Sequence, residues 1–244
     1  MAYDIKKLSD RFKRDGFIIV NGFLNSTEID AFDYEVERII REELSKLDEN
    51  HVFYEAEPDG PIKHLSSPDD YSKPFKDLLN RPENYELIEA CVGSSVESLA
   101  SEVFYKSANV GSPAPYHQDN AFLHLEPADG AVIWIALDDT TVENGAVYFS
   151  GGGFELGDLP HYETNVALFS KCLTSPLDLD KYPETPALLK RGDASIHHIL
   201  TPHRSGSNKT DNNRRGIVLN YKGVDAKVNV DRQKAHADYV SRIK

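Results

Sequence analysis

The sequence predicts a mainly β protein, a sandwich or barrel of short strands with helical additions ahead of it. Three observations predict it. From about residue 96, short runs of β-branched and aromatic residues alternate with turn signals, the spacing of a sandwich or barrel. Ahead of them, residues 4–15 and the segment after Ser26 carry apolar residues at helical intervals. The length of 244 residues suits one well-buried core. Residues 1–244 are therefore expected to form a single domain, helical over about 1–95 and strand-rich over about 96–225.

The elements follow in order. Ile5, Leu8 and Phe12 mark a helix over 4–15 that Gly16 stops. Phe17–Val20 is a brief apolar run, read as a strand. Ser26 or Thr27 is expected to cap a second helix, whose stripe is Ile29, Phe32, Val36, Ile39, Ile40, Leu44 and Leu47. Residues 48–74, with Pro58, Pro61, Pro68 and Pro74, read as an irregular connection holding one short strand near Ile62–Leu65. Residues 75–92 read as helix. The strand-like runs are Val103–Tyr105, Ala131–Leu137, Ala146–Phe149, Ala194–Ile199 and Ile217–Tyr221. Asp129-Gly130 and Asn144-Gly145 stand between such runs as hairpin turns would. Gly151–Gly153 is read as a loop, since it lacks the lysine and hydroxyl of a phosphate-binding loop. Residues 155–190 are loop-rich, and the last dozen residues are expected to be helical.

Composition narrows the function. The net charge is -13, with 40 acidic against 27 basic residues, which argues against a nucleic-acid partner because phosphate binding needs a basic footprint. No run approaches the ~20 apolar residues of a membrane span. Two cysteines, Cys91 and Cys172, do not make a disulfide framework, so a reducing, cytoplasmic setting is expected.

The chemistry lies in His117-Gln118-Asp119. On a strand, residues two apart share a face about 7 Å apart at their Cα atoms, so imidazole and carboxylate can converge on one ion. With a third ligand they make the facial set that suits non-haem Fe(II) oxygenases. Alone the motif is weak, because His and Asp often fall two apart. The segment Arg191–Tyr221 adds the rest. Gly192-Asp193 turns into the run Ala194–Ile199, and Thr201–Ser207 breaks that strand and carries His203. Arg214 follows eleven residues later. A metal that binds a 2-oxoacid needs a distant cation for the remote carboxylate, and the planar guanidinium suits it. The spacing is expected to place His203 and Arg214 on adjoining strands, with Ser205 adding a hydrogen bond to the same carboxylate. Taken singly, each residue has a plainer reading: a hydrogen-bonded histidine, a turn-capping Asp119, a solvated Arg214-Arg215 pair.

Together these residues resemble the phytanoyl-CoA dioxygenase family of Fe(II)/2-oxoglutarate oxygenases. The resemblance spans nearly the whole chain. It starts at Asp15–Leu24 (DGFIIVNGFL) and continues through Tyr116–Asn120 (YHQDN) and Trp134–Gly145 (WIALDDTTVENG). It closes with Gly192-Asp193, His203–Gly206 (HRSG) and Arg214. It implies a double-stranded β-helix core, jelly-roll and cupin-like, flanked by N-terminal helices. It also implies iron held by His117, Asp119 and His203, with 2-oxoglutarate and O2 as cosubstrates. Arg214 and Ser205 would hold the far carboxylate. Lys106 stands where the family often has a lysine near the cosubstrate; Phe104 on the same strand face and Trp134 on a neighbouring strand are pocket candidates. Where many relatives have PGSH after the NG turn, this chain has Ser150–Phe154 (SGGGF), which sets its local loop apart. Asp119 separates the chain from related halogenases, which carry Gly or Ala there, and points to hydroxylation or another halide-free oxidation.

The implied activity oxidises a small molecule, a metabolite or biosynthetic intermediate, with release of succinate and CO2. A zinc or cupin-type hydrolase or isomerase could use the same three ligands, but gives Arg214 no task. A non-catalytic jelly-roll binding protein is the third reading. Tyr105, Phe122, His124, His197 and His198 are candidate pocket walls. His197 and His198 are adjacent on a strand, so only one can face inward, and both are expected to support or surround the site, not to ligate. Neither a monomer nor a homodimer is preferred.

Overall fold

The computed structural model describes residues 4–48, 50–55, 60–165 and 168–243. The first helix, α1 (Ile5–Asp15), is capped by Asp4, whose side chain accepts from the Lys7 amide, and ends at Gly16 with φ at +79°. Only a glycine serves here: a Cβ would stand 2.6 Å from the Phe154 ring. After β1 (Phe17–Val20) comes α2 (Ser26–Arg38). Its cap is Asn25, not Ser26 or Thr27. Asn25 accepts from the Glu28 amide at 3.0 Å and the Glu28 carboxylate accepts from the Asn25 amide at 2.9 Å, satisfying two orphan donors at once. The apolar stripe runs on through a π turn, Ile39–Glu43, and a 3-10 turn, Leu44–Lys46.

The region expected to be irregular holds two strands, β2 (Val52–Tyr54) and β3 (Ile62–Ser66), paired antiparallel with Val52 opposite Leu65. Pro68 and Pro74 do not break structure; they open α3 (Pro68–Tyr71) and α4 (Lys73–Leu79), where a missing amide hydrogen costs nothing. Pro58 lies outside the described residues. The helix expected over 75–92 is two, because Pro82 ends α4 and starts α5 (Pro82–Val92).

The strands that follow are β4 (Val96–Lys106) and β5 (Ala114–His117), then the short helix α6 (Asn120–Leu123), β6 (Leu125–Glu126), β7 (Gly130–Ala136) and β8 (Val147–Ser150). The loop-rich stretch carries β9 (His161–Glu163), β10 (Lys171–Leu173) and β11 (Glu184–Pro186). Last come β12 (Ala194–His198), β13 (His203–Ser205), β14 (Arg214–Gly223), β15 (Lys227–Val228) and α7 (Val230–Ile243).

Two antiparallel sheets dominate. One has seven strands in the order β1-β12-β7-β14-β4-β3-β2, the other four in the order β11-β8-β13-β5. Neither Gly turn makes a simple hairpin. Asn144-Gly145 carries the chain from β7 in the large sheet to β8 in the small one, and β6 after α6 pairs with β15, not with β7 across Asp129-Gly130. Crossing between sheets puts Gly145 against the Gly206 carbonyl, where a Cβ would stand 2.5 Å away.

Strand alternation then sorts the side chains. Val103, Ile133, Ile135, Ile217, Leu219 and Tyr221 point out of the large sheet and pack with α1, α2, α4 and α5. Val132, Trp134, Ala136 and Val218 point inward and meet Phe149 of the small sheet. The ring of Phe17 stacks on Phe149 at 5.0 Å, closing one side of the space between the sheets. Among the described residues, no helix is long and apolar enough to cross a membrane.

Candidate active site

The space between the sheets is a cavity of about 220 Å3. Into it project His117, the last residue of β5, and His203, the first of β13. These two are direct cross-strand partners, with ring centroids 4.2 Å apart. His203 therefore does more than break a strand; it opens one in the small sheet. Asp119 is not on a strand as its spacing suggested. The chain leaves β5 at His117, and Asp119 caps α6, its carbonyl accepting from the Phe122 and Leu123 amides. The turn still delivers its carboxylate: Oδ1 lies 3.9 Å from His117 Nε2 and 3.5 Å from His203 Nε2.

One ligand atom from each of His117, Asp119 and His203 falls within 4.8 Å of the others. Cis ligands with bonds of about 2.1 Å stand about 3 Å apart, so small rotamer adjustments would let all three ligate one metal ion on one face. The donor set is prepared for a cation. His117 Nδ1 donates to the Pro115 carbonyl at 2.7 Å and His203 Nδ1 to the Thr201 carbonyl at 2.9 Å, which leaves each Nε2 as a lone pair facing Asp119. Burial pushes both imidazoles down, His203 to about 3, so they are neutral as ligands must be. Burial alone would raise the Asp119 carboxyl, but His203, His197 and His117 outweigh it and hold the group below its ordinary value.

His197 is the residue that sequence reading underplayed. Its Nε2 donates to Asp119 Oδ2 at 2.7 Å and so orients the carboxylate. It faces inward, and His198 faces away, against Phe12 and Phe154. The sequence assigns Gln118 no role of its own. It is fully buried and pins two loops: its amide donates to the Gly157 and Leu200 carbonyls, and its Oε1 accepts from the Leu159 amide. Alternation from His117 was the available signal, because it sends Gln118 the opposite way.

Arg214 lies in the same cavity, on β14 of the large sheet. It is not on a strand adjoining β13; the two belong to opposite sheets that face each other. It is 3% exposed, yet among the described residues no carboxylate pairs with it and its Nε has no hydrogen-bond partner. Burial pushes it down to about 10. Its guanidinium sits 5.1 Å from the Trp134 ring centre, which gives Trp134 a supporting role. Gly216 is what admits that ring, since a Cβ there would meet Trp134 at 2.1 Å. Ser205 follows His203 by two on β13 and lines the cavity too. Lys106 pairs with Arg214 in register and donates to the Ser112 carbonyl at 2.5 Å; burial, then Arg214, push it down to about 6. Phe104 lines the cavity on the same strand face.

The remaining wall candidates divide. Phe122 and Tyr105 line the cavity, though Tyr105 also belongs to the helix-side core. His124 does not; it bonds to His236 of α7 at 3.1 Å. Phe169, from the loop-rich stretch, is a wall that sequence reading missed, 5.3 Å from the His117 ring.

Known proteins resemble this chain in sequence and in fold. The model of the phytanoyl-CoA dioxygenase (PhyH) family matches residues 12–216. A probable alpha-ketoglutarate-dependent hypophosphite dioxygenase of Stutzerimonas stutzeri is 23% identical over 218 residues, covering 86% of this chain and 76% of that protein. Among solved structures, the epimerase SnoN in complex with Fe3+, alpha ketoglutarate and nogalamycin RO superposes with a TM-score of 0.76 at 22% identity, covering 92% of this chain and 85% of that one. The carbocyclase SnoK from nogalamycin biosynthesis gives 0.77 at 20% identity, covering 96% and 90%. These likenesses show a shared fold with proteins of quite different reactions.

Proposed function

This chain belongs to the phytanoyl-CoA dioxygenase family of Fe(II)/2-oxoglutarate-dependent enzymes, and from that premise we propose that it hydroxylates, or otherwise oxidises, a small organic molecule between its two sheets. His117, Asp119 and His203 hold the iron. Arg214, with Ser205, takes the far carboxylate of 2-oxoglutarate, and Lys106, Phe104 and Trp134 complete that end of the cavity. The two facing sheets accord with a jelly-roll core. The unpaired Cys91 and Cys172 accord with a cytoplasmic setting.

One observation carries the reading. Arg214 is buried with no carboxylate within 4.0 Å among the described residues, and Asp138 acts on it only from farther off. A desolvated cation is costly unless an anion meets it. A 2-oxoacid dianion that chelates a metal at one end and ends in a carboxylate at the other supplies that anion. When bound, iron with 2-oxoglutarate and O2 supplies the oxidising power. The chain's own residues do the rest. His197 fixes Asp119, the Pro115 and Thr201 carbonyls fix the two ring tautomers, and Phe169, Phe122 and Phe104 keep water from the reacting face. Asp119 occupies one metal position, which disfavours halide at the site. The cavity is smaller than the roughly 300–1,000 Å3 of drug-sized sites, which suits a small substrate.

The test is succinate release by purified enzyme with Fe(II), 2-oxoglutarate and a metabolite library. Release that needs all three supports the reading. Turnover with zinc and no 2-oxoglutarate would replace it with a hydrolase or isomerase.

A further inference from the structure

The cavity has a second polar end that iron and cosubstrate leave unused. On the inner face of β4, Glu102 follows Phe104 and Lys106 in the alternation, and its carboxylate lines the cavity. It is 28% exposed. Among the described residues no lysine or arginine lies within 4.0 Å of it, and no hydrogen bond reaches it; its nearest titratable neighbour is His64 on β3, with Nε2 3.7 Å from Oε1. His64 is 4% exposed, wedged between Phe53 and Phe104, and neither of its ring nitrogens has a hydrogen-bond partner. Asn220 of β14 is buried, lines the same cavity and makes no side-chain hydrogen bond among the described residues. Three polar side chains thus face an otherwise apolar space, walled by Phe104, Val132, Val218 and Leu123, with their partners missing. Glu102 and Asn220 stay open to a ligand from the cavity, and His64 is the fully buried member of the three.

Register places this end relative to the metal ligands. His197, which holds Asp119, is directly opposite Val132, and Val132 is directly opposite Asn220. Strands about 4.8 Å apart put Asn220 about 10 Å across the sheet from His197. Glu102 lies one strand further, beside Val218. Lys106 and Arg214, the cationic end, lie roughly 13 to 20 Å away along β4 and β14. The cavity is therefore polarised: Lys106, Arg214 and the Glu55–Lys63 ion pair at one end, an unpaired carboxylate and an amide at the other, the His/Asp/His cluster facing the space between.

We propose that Glu102 and Asn220 bind the substrate's polar group, and that this group is a protonated amine a few carbons from the atom that is oxidised. The inference rests on the oxygenase reading for its reaction, but not for its binding site. An ammonium donates to both Glu102 and the Asn220 carbonyl oxygen and neutralises the carboxylate that the apolar walls desolvate. A carboxylate at the same place would meet Glu102 with like charge, and an uncharged alkyl group would leave both side chains unpaired. The apolar walls take the carbon chain.

Metal-free protein isolates this site from the iron. Ligand-observed NMR titrations with n-hexylamine, 1-hexanol and hexanoate are run on wild type, Glu102→Gln, Asn220→Leu and the exposed control Glu86→Gln. The amine is expected to bind wild type and Glu86→Gln alike, with 1-hexanol weaker and any hexanoate bound at the Arg214 end, indifferent to Glu102→Gln. Glu102→Gln should weaken the amine at least about tenfold, the loss of a charge-assisted hydrogen bond. Asn220→Leu should weaken it less. Unchanged amine affinity in folded Glu102→Gln, a hexanoate affinity that falls as the amine's does in Glu102→Gln, or no amine binding to wild type overturns the proposal. The optical complex of Fe(II) with 2-oxoglutarate, recorded on Glu102→Gln and wild type, reads the oxygenase assignment separately. Its presence in both with no amine effect sinks the subsite alone; its absence from wild type sinks the oxygenase reading alone.

Discussion

Replacing Arg214 with methionine should move stability and cosubstrate binding in opposite directions. The guanidinium is buried without an anionic partner, and burial pushes it from 12.5 down to about 10. A basic group depressed in the folded state costs stability at every pH below its folded value, so the cost is fully present at neutral pH. It amounts to about 3 kcal/mol at most. Stacking on Trp134 returns about 1 kcal/mol. Methionine keeps an unbranched stem and removes the charge, so the metal-free Arg214→Met protein should gain about 1–2 kcal/mol. With metal present, losing the partner of a buried carboxylate should cost about 2–5 kcal/mol, a 30-fold to several-thousand-fold weaker 2-oxoglutarate Kd. Chemical denaturation of the metal-free proteins and calorimetric titration of 2-oxoglutarate into the Mn(II) forms read both. At about a hundred times Kd the cosubstrate should stabilise wild type by about 2.7 kcal/mol and the variant hardly at all. A variant less stable than wild type, or one that binds 2-oxoglutarate within about threefold, would refute the assignment of Arg214 as an anion receptor held in waiting.

Three further outcomes are expected. His197→Ala removes the hydrogen bond that orients Asp119 and should weaken metal binding about 10- to 100-fold in a competition titration, with the fold intact; unchanged affinity would show that Asp119 needs no such support. Gly216→Ala drives a methyl into the Trp134 ring and should cost about 1–3 kcal/mol while also weakening 2-oxoglutarate, since Arg214 rests on that ring; a neutral substitution would mean the ring has room to move. His124 and His236 touch each other and burial pushes both down to about 4, from 6.5 unfolded. The unfolded chain takes up these protons first, so stability is full above about pH 6.5 and falls towards pH 4. Thermal melts of metal-free protein should drop across that window, and His236→Phe should flatten part of the drop; a flat wild-type profile would contradict the pairing.

Much of this was legible in the chain. Local signals worked where local physics decides: Gly16 stops α1, the β-branched runs form the strands, and the motif residues His117, Asp119 and His203 meet. Long-range choices were not legible. The strand expected near Ile62–Leu65 is β3, but β2 was missed because it is stable only by pairing with β3, which in turn pairs with β4. Asn144-Gly145 has the composition of a hairpin turn, and only sheet-to-sheet crossing reveals its true use. The His/Asp motif was read with strand geometry, although the chain turns into α6 at Asp119. His197 and Gln118 find their partners 78 and 39 to 82 residues away; strand alternation tells which way each faces but not what it meets. Phe169, Glu102 and Asn220 belong to the same class: each is an ordinary residue until the sheets face each other.

The optical spectrum of anaerobic protein with Fe(II) and 2-oxoglutarate tests the central claim most directly, because the chelate of the two has a weak visible charge-transfer band. Wild type should show the band, His117→Ala should lose it, and Arg214→Met should need far more 2-oxoglutarate to develop it. A wild-type protein without the band, or one whose band survives unchanged in both variants, would contradict the site described.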